Sequence, residues 1–272
     1  MVDSPSSRSS ANTIDHWQAG WYAGRTGASV AFAAQHLTQG TDLLDIGCGA
    51  GTITLDLARI VHPGRVVGID FNEEQIERAL TNLQESGLDN VTFVQGDGAD
   101  PDFAPRSFDA VVAFSTLQWL RDPARTVRRA YELLRPGGMF AARDRDVDGD
   151  IVGGQYRDDV LAVWDMVLRV WDMEHSIEPR LGRRLRGLAA AAGFSPVHTS
   201  AGYESWGTDE RVAEHIDWYG LTEGRTLRER FLRSGLADEA TLQRHYERLQ
   251  RWASQPDSWF AACRVEVVGW KP

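Results

Sequence analysis

The sequence predicts an α/β fold: a doubly wound, mostly parallel seven-stranded sheet with helices on both faces and a helical insertion near the C-terminus. Three observations carry this. Short apolar runs alternate with amphipathic segments across about 100 residues, the rhythm of repeated strand–helix units. The apolar runs are nearly continuous, as in strands covered on both faces. The first run ends in a glycine-rich stretch, "GCGAG", which leads directly into helical spacing.

The elements follow in order. "TDLLDIG" reads as strand one and "GTITLDLARIV" as its helix. "GRVVGIDF" is a second buried strand. "NEEQIERALTNLQESG" is a helix that Asn72 caps and Gly87 ends. "NVTFVQGDGAD" supplies strand three and "SFDAVVAFST" strand four. "DPARTVRRAYELLRPGG" is a helix starting at Asp122 and stopping at Pro136, and "GMFAARD" is strand five. Beyond Arg143 the pattern loosens. "QYRDDVLAVWDMVLRVWDM" and "GRRLRGLAAAAGF" read as helices and "PVHTSAGYESWG" as a strand. Residues 208–256 form a helical insertion, clearest in "TLQRHYERLQRWAS", and "WFAACRVEVVGWKP" closes the sheet. Residues 1–12 read as a disordered tail. Residues 13–272 read as one domain, with a helical cap at 13–40 and a ligand-binding core at 41–145.

Composition narrows the function classes. The 272 residues are 42% hydrophobic and 25% charged, as in soluble globular proteins. No run of about 18 apolar residues appears, and "MVDSPSSRSSANT" has no signal-peptide core. The formal net charge of -10 argues against a nucleic-acid partner. The short basic stretches "RTVRR" and "RLGRRLR" read as solvated helix faces. Two cysteines, Cys48 and Cys263, make a disulfide framework improbable and the cytoplasm the default compartment.

Gly47, Gly49 and Gly51 let a ligand approach the backbone where a Cβ would collide, at the start of a helix. A dinucleotide turn, G-x-G-x-x-G, would need glycine at 52, where Thr52 stands, and no phosphate-binding G-x-x-x-x-G-K-[ST] occurs. Asp70 ends strand two, where a carboxylate accepts from both ribose hydroxyls of a nucleoside. Asp97, in "VQGDGAD", is placed to accept from an exocyclic amine. In a doubly wound sheet, ligands bind beyond the carboxyl ends of the strands, where all of these residues lie.

"DIGCGAG", the acid ending strand two, "GDGAD", "FDAVVAFSTLQWL" and "LLRPGG", in that order, resemble the Rossmann-like class I methyltransferases that use S-adenosylmethionine. The likeness is to the small-molecule branch typified by ubiquinone and menaquinone C-methyltransferases and covers roughly Leu43 to Asp144. The resemblance implies that the loop at Gly47, Cys48, Gly49 and Gly51 lines the methionine and ribose of the cofactor, with Asp45 orienting it. It also implies that Asp70 holds the ribose and that Phe71 packs on the adenine. Asp97 and the Gly98 backbone would then face the ring, and the Phe114–Ser115 backbone would meet the methionine amino group. In such families an N-terminal segment covers the cofactor, a role open here to Tyr22 and Arg25.

Methyl transfer needs an aligned acceptor and a dry site more than a protein nucleophile. A general base helps with hydroxyl or acidic carbon acceptors, and His16 is the candidate. Packing accounts better for His175 and His198. An acceptor pocket is expected from Gln118 and Trp119 after strand four, Arg143 after strand five, and Trp218 and Tyr219 in the insertion, which would act as a lid. The alternating acids Asp144, Asp146, Asp148 and Asp150 read as a solvated loop rather than a metal site. No "NPPY"-type tetrapeptide follows strand four, which favours oxygen or carbon acceptors over nitrogen without excluding the latter. The reading is thus a methyltransferase that takes S-adenosylmethionine to S-adenosylhomocysteine on the O, C or N atom of a small organic acceptor, without membrane or nucleic acid, as a monomer or homodimer. Three alternatives stand beside it: a non-methylating enzyme that binds the same cofactor, an NAD-dependent oxidoreductase, and a non-catalytic binding protein that kept the fold.

Overall fold

The computed structural model describes residues 30–174, 177–219, 221 and 226–272. A short helix, α1 (Ala31–Ala34), precedes β1 (Leu43–Ile46), α2 (Thr52–Val61), β2 (Val66–Asp70), α3 (Glu73–Ser86) and β3 (Val91–Gln95). Then come β4 (Phe108–Phe114), α4 (Pro123–Leu133), β5 (Leu134–Arg145) and the three-residue β6 (Ile151–Gly153). The remainder is α5 (Arg157–Glu174), α6 (Leu185–Ala192), β7 (Val197–Trp206), α7 (Asp209–Trp218), α8 (Thr226–Ser234), α9 (Glu239–Ala253) and β8 (Trp259–Trp270).

The strands form one sheet in the order β3-β2-β1-β4-β5-β8-β6, with β7 on the other edge of β8. Strands β1 to β5 run parallel, and β8 is antiparallel to β5, β6 and β7. Among the described residues there are eight strands, one more than expected. The addition is β6, which pairs with the start of β8 on the same edge that β5 pairs with further along. Three residues inside an acidic loop are too few for a legible strand period.

The expected helix starts are in place, but α4 ends at Leu133 rather than at Pro136, because Leu134 already turns extended (ψ 142°) and opens β5. Asn72 accepts the Gln75 N–H at 3.3 Å, and Gly87 closes α3 in the left-handed region. Asp122 accepts the Arg125 N–H at 2.9 Å, with Pro123 beside it. The apolar faces of α2 and α3 (Leu57, Ala58, Ile76, Ala79) bury against one side of the sheet, and those of α4 and α6 (Val127, Ala130, Leu185, Ala189) against the other.

A third core lies beyond the parallel strands. There α5 joins α7, α8 and α9 over the ends of β7 and β8, enclosing Trp164, Trp171, Trp206, Phe231, Trp252 and Phe260. The helical layer therefore draws on α5 as well as on the insertion. Four of the chain's ten tryptophans are consumed in this packing. Among the described residues, no helix is long and apolar enough to cross a membrane.

Candidate active site

The site is built where β1, β2 and β4 end side by side. The backbone leaving β1 is held to β2, since the Gly47 and Cys48 N–H groups both donate to the Ile69 carbonyl, at 2.7 and 3.1 Å. The chain then turns through Gly49 into α2. At Gly51 (φ +77°) a Cβ would overlap the Phe93 ring, so glycine is required by both angle and space. Gly49 differs. A Cβ there would meet only Gln75 Oε1, at 3.9 Å, so the backbone is bare on the side left for a ligand.

Asp70 joins loop and strand. Its Oδ2 accepts the Gly49 N–H at 2.9 Å and its Oδ1 accepts the Asn72 N–H at 3.0 Å. The carboxylate is 5% exposed, and burial raises its pKa against the lowering effect of these backbone donors. A carboxylate has about four lone-pair sites, and this one takes backbone donors from Gly49, Asn72 and Phe71, so capacity remains for a ligand hydroxyl. Phe71, next in sequence, is 43% exposed and offers an open ring face.

Asp45 lies beneath the loop. It accepts the Thr54 hydroxyl at 2.6 Å, and burial, with a further push from Asp70, raises its pKa to about 7. Burial also raises the Cys48 thiol well above its usual range, with Asp45 and Asp70 adding to the effect. Two desolvated carboxylates beside a bare backbone set a negative potential that favours a cation.

On β4, Phe114 packs edge-on to Phe32, and Ser115 adopts φ +56°. The Ser115 N–H donates to the Arg143 carbonyl at 2.6 Å. Thr116 Oγ1 lies 3.4 Å from the Gly47 carbonyl, closing the gap between the β4 end and the glycine loop. Asp97 is exposed, and its Oδ1 accepts the Ala99 N–H at 2.8 Å. Gly98 is so close to the β1 end that a Cβ would meet Ile46 Cγ2 at 2.7 Å. Asp45, Gly47, Gly49, Asp70, Phe114 and Ser115 are thus assembled at one end of the sheet, with Phe71, Asp97 and Gly98 on its β2–β3 side.

The residues expected to line an acceptor pocket divide. Arg143 lies at the end of β5 on the sheet face that carries the helical layer, and Trp119 is half-buried after β4. Gln118 is 2% exposed and serves as a lock. Its N–H faces Asp144 Oδ1 at 3.4 Å, its side-chain oxygen accepts from Arg145 N at 3.3 Å, and its carbonyl accepts from Glu178 N at 2.8 Å. Tyr219 is fully buried inside the helical core, 3.2 Å from His215 Nε2 and edge-on to Trp164. Burial lowers the His215 pKa well below the usual imidazole value, with Arg145 adding to the effect. His16, Tyr22, Arg25 and His175 lie outside the described residues, as does the side chain of Trp218.

The acidic run is held by arginines. Arg183 grips Asp146 in a fork at 2.5 and 2.7 Å and also reaches Asp148, Arg180 binds Asp148 at 2.9 Å, and Arg145 binds Asp150 at 2.6 Å. Among the described residues no group of His, Cys, Asp and Glu is arranged to hold a metal. Sequence reasoning missed Thr54, Thr116 and the pairing of Arg143 with Glu266. A hydroxyl nine residues after Asp45, one turn into the helix, was the available signal for the first.

The methyltransferase-domain family model matches residues 37–190. The chain is 27% identical over 268 residues to the probable methyltransferase ltbC of Aspergillus luteorubrus, covering 91% of each chain. It is 32% identical over 191 residues to nocamycin O-methyltransferase of Saccharothrix syringae, covering 70% of this chain and 62% of that protein. Among solved structures, the YcgJ protein of Bacillus subtilis superposes with a TM-score of 0.62 at 20% identity, covering 90% of this chain and 98% of that one. With this match over more than half its length, the chain belongs to the methyltransferase-domain family and is an S-adenosylmethionine-dependent methyltransferase of the Rossmann-like class.

Proposed function

We propose that the chain methylates a small organic molecule held over the ends of β4 and β5, beside a cofactor laid across β2, β1 and β4. The observation that carries this is the Asp70–Gly49 contact, which ties a buried carboxylate to the one loop glycine with open space above it. When bound, S-adenosylmethionine supplies a methyl group already activated by its sulfonium.

The chain's residues do the rest. Asp70 accepts from the ribose hydroxyls, and Phe71 stacks on the base. Asp97 and the Gly98 backbone face the base edge. Asp45, through Thr54, holds the start of α2 to β1 and adds negative potential under the loop. The Ser115 turn carries the β4 backbone to the methionine end. Arg143, Trp119 and the helical layer position the acceptor and exclude water. A general base is needed only where the acceptor must lose a proton, and His16 is the residue proposed for it.

The test is incubation of the full chain with methyl-deuterated S-adenosylmethionine and a panel of phenols, carboxylic acids, acidic carbon compounds and amines. Mass spectrometry reads a trideuteromethyl increment on one acceptor class, stoichiometric with S-adenosylhomocysteine. An altered acceptor without that increment would overturn the reading and point to a non-methylating reaction.

A further inference from the structure

Three arginines and three acids share one face of the sheet between its main core and the helical layer. Arg145 stands directly across from Arg264 and Arg143 across from Glu266 in the β5–β8 ladder. All three arginines are buried, at 7%, 3% and 0% exposure for Arg143, Arg145 and Arg264. The acids are not evenly shared. Asp150 binds Arg145 at 2.6 Å and also takes the Cys263 N–H at 2.8 Å. Glu204 accepts from two nitrogens of Arg264, at 2.8 and 3.2 Å. Glu266 accepts the Ser200 hydroxyl at 2.7 Å and reaches only Nε of Arg143, at 3.4 Å.

Arg143 is thus the arginine of the three whose side chain makes no hydrogen bond among the described residues, and its Nε is buried without one. A buried guanidinium presents a planar fork of donors that matches a carboxylate. One long contact to a shared acid leaves that capacity unused, which calls for an explanation.

Position supplies one. Along the sheet, Asp70 ends β2, the glycine loop ends β1 and Ser115 ends β4. Arg143 is on β5, the next strand over, roughly one strand spacing of about 4.8 Å further along. It is in parallel register with Phe114, so the two side chains share a face. That places Arg143 one strand beyond the methionine end of the proposed cofactor site, on the side of the helical layer, with its Nε turned toward Glu266.

We propose that Arg143 anchors the methyl acceptor through a carboxylate on that acceptor. The proposal rests on the acceptor site given above. The methionine carboxylate of the cofactor has the same chemistry, so the experiment separates the two sources.

The full chain is titrated calorimetrically with S-adenosylhomocysteine and with 5'-methylthioadenosine, which lacks the amino acid end. It is then saturated with S-adenosylhomocysteine and titrated with matched probes: salicylate against salicylamide, and 1-hydroxy-2-naphthoate against its amide. Wild type is expected to bind one acid about 10-fold or more tighter than its amide, the effect of a charge-assisted fork. Arg143→Gln removes that preference and leaves S-adenosylhomocysteine affinity unchanged. Glu266→Gln removes the competing acid and raises the acid's affinity, which loss of a merely structural ion pair would not do. If Arg143→Gln fails to fold, Arg143→Lys keeps the charge, loses the fork and is expected to weaken the acid alone.

Equal affinities for acid and amide, or no binding of either acid by wild type, overturn the proposal. So does Arg143→Gln weakening S-adenosylhomocysteine but not methylthioadenosine, which would assign the arginine to the cofactor. Failure of wild type to bind either adenosyl ligand would instead overturn the cofactor site itself.

Discussion

The Thr54 hydroxyl donates to the Asp45 carboxylate at 2.6 Å, wholly inside the protein, one turn into the helix that follows the glycine loop. This bond lowers the Asp45 pKa, and burial overrides it, leaving the group at about 7. Its folded-state value is raised above that of the unfolded chain. The stability it contributes is therefore fully present below about 4 and is lost as pH rises through about 7. A cation bound beside it favours the ionised form. Binding of S-adenosylmethionine should thus release up to about one proton near pH 6 to 7, and affinity should rise with pH and level off above about 8. Calorimetry in buffers of different ionisation enthalpy measures the proton count. A pH-independent affinity between 5 and 8 would contradict the electrostatic reading.

Two loop glycines should respond differently to alanine. At Gly51 a Cβ enters the Phe93 ring at φ +77°, so Gly51→Ala is expected to destabilise the fold by about 2 kcal/mol or more. At Gly49 the space is open and φ is +53°, so Gly49→Ala carries a strain of about 1 kcal/mol in the fold. Its larger effect should be on cofactor affinity, because the new methyl occupies the bare side of the loop. Urea unfolding and S-adenosylhomocysteine titration of both variants separate the two effects. Equal losses of stability would argue against the assignment.

Tyr219 tests the division between pocket and helical core. Tyr219→Phe removes the hydroxyl beside His215 Nε2 and should cost about 1 to 3 kcal/mol of stability with S-adenosylhomocysteine affinity unchanged. Thermal unfolding reads the loss. An unchanged melting temperature with KM raised for an accepted substrate would return Tyr219 to the acceptor site.

Most of the loop and strand-end geometry proposed to hold the cofactor was legible because its signals are local. Glycines needed at fixed places in one turn, an acid ending a buried run, and caps such as Asn72 and Asp122 all lie within a few residues of the elements they define. The proposed acceptor side depends on pairing between distant segments. Nothing near Arg143 announces that it stands across from Glu266, 123 positions later. Gln118 and Tyr219 looked available for a ligand because polar and aromatic residues after a strand or in an insertion often are. Their actual partners, Asp144 and Glu178 for one and His215 and Trp164 for the other, come from tertiary packing. The alternating acids could not reveal that Arg180 and Arg183, more than thirty residues on, would hold two of them.

The most direct test of the central claim is calorimetric titration of the full chain with S-adenosylmethionine, S-adenosylhomocysteine and NAD in parallel, repeated on Asp70→Ala. The expected result is micromolar binding of both adenosyl ligands, no binding of NAD, and a loss of about 100-fold on removing the Asp70 carboxylate. Binding of NAD alone, or adenosyl binding indifferent to Asp70, would contradict the placement of the cofactor across the ends of β1 and β2.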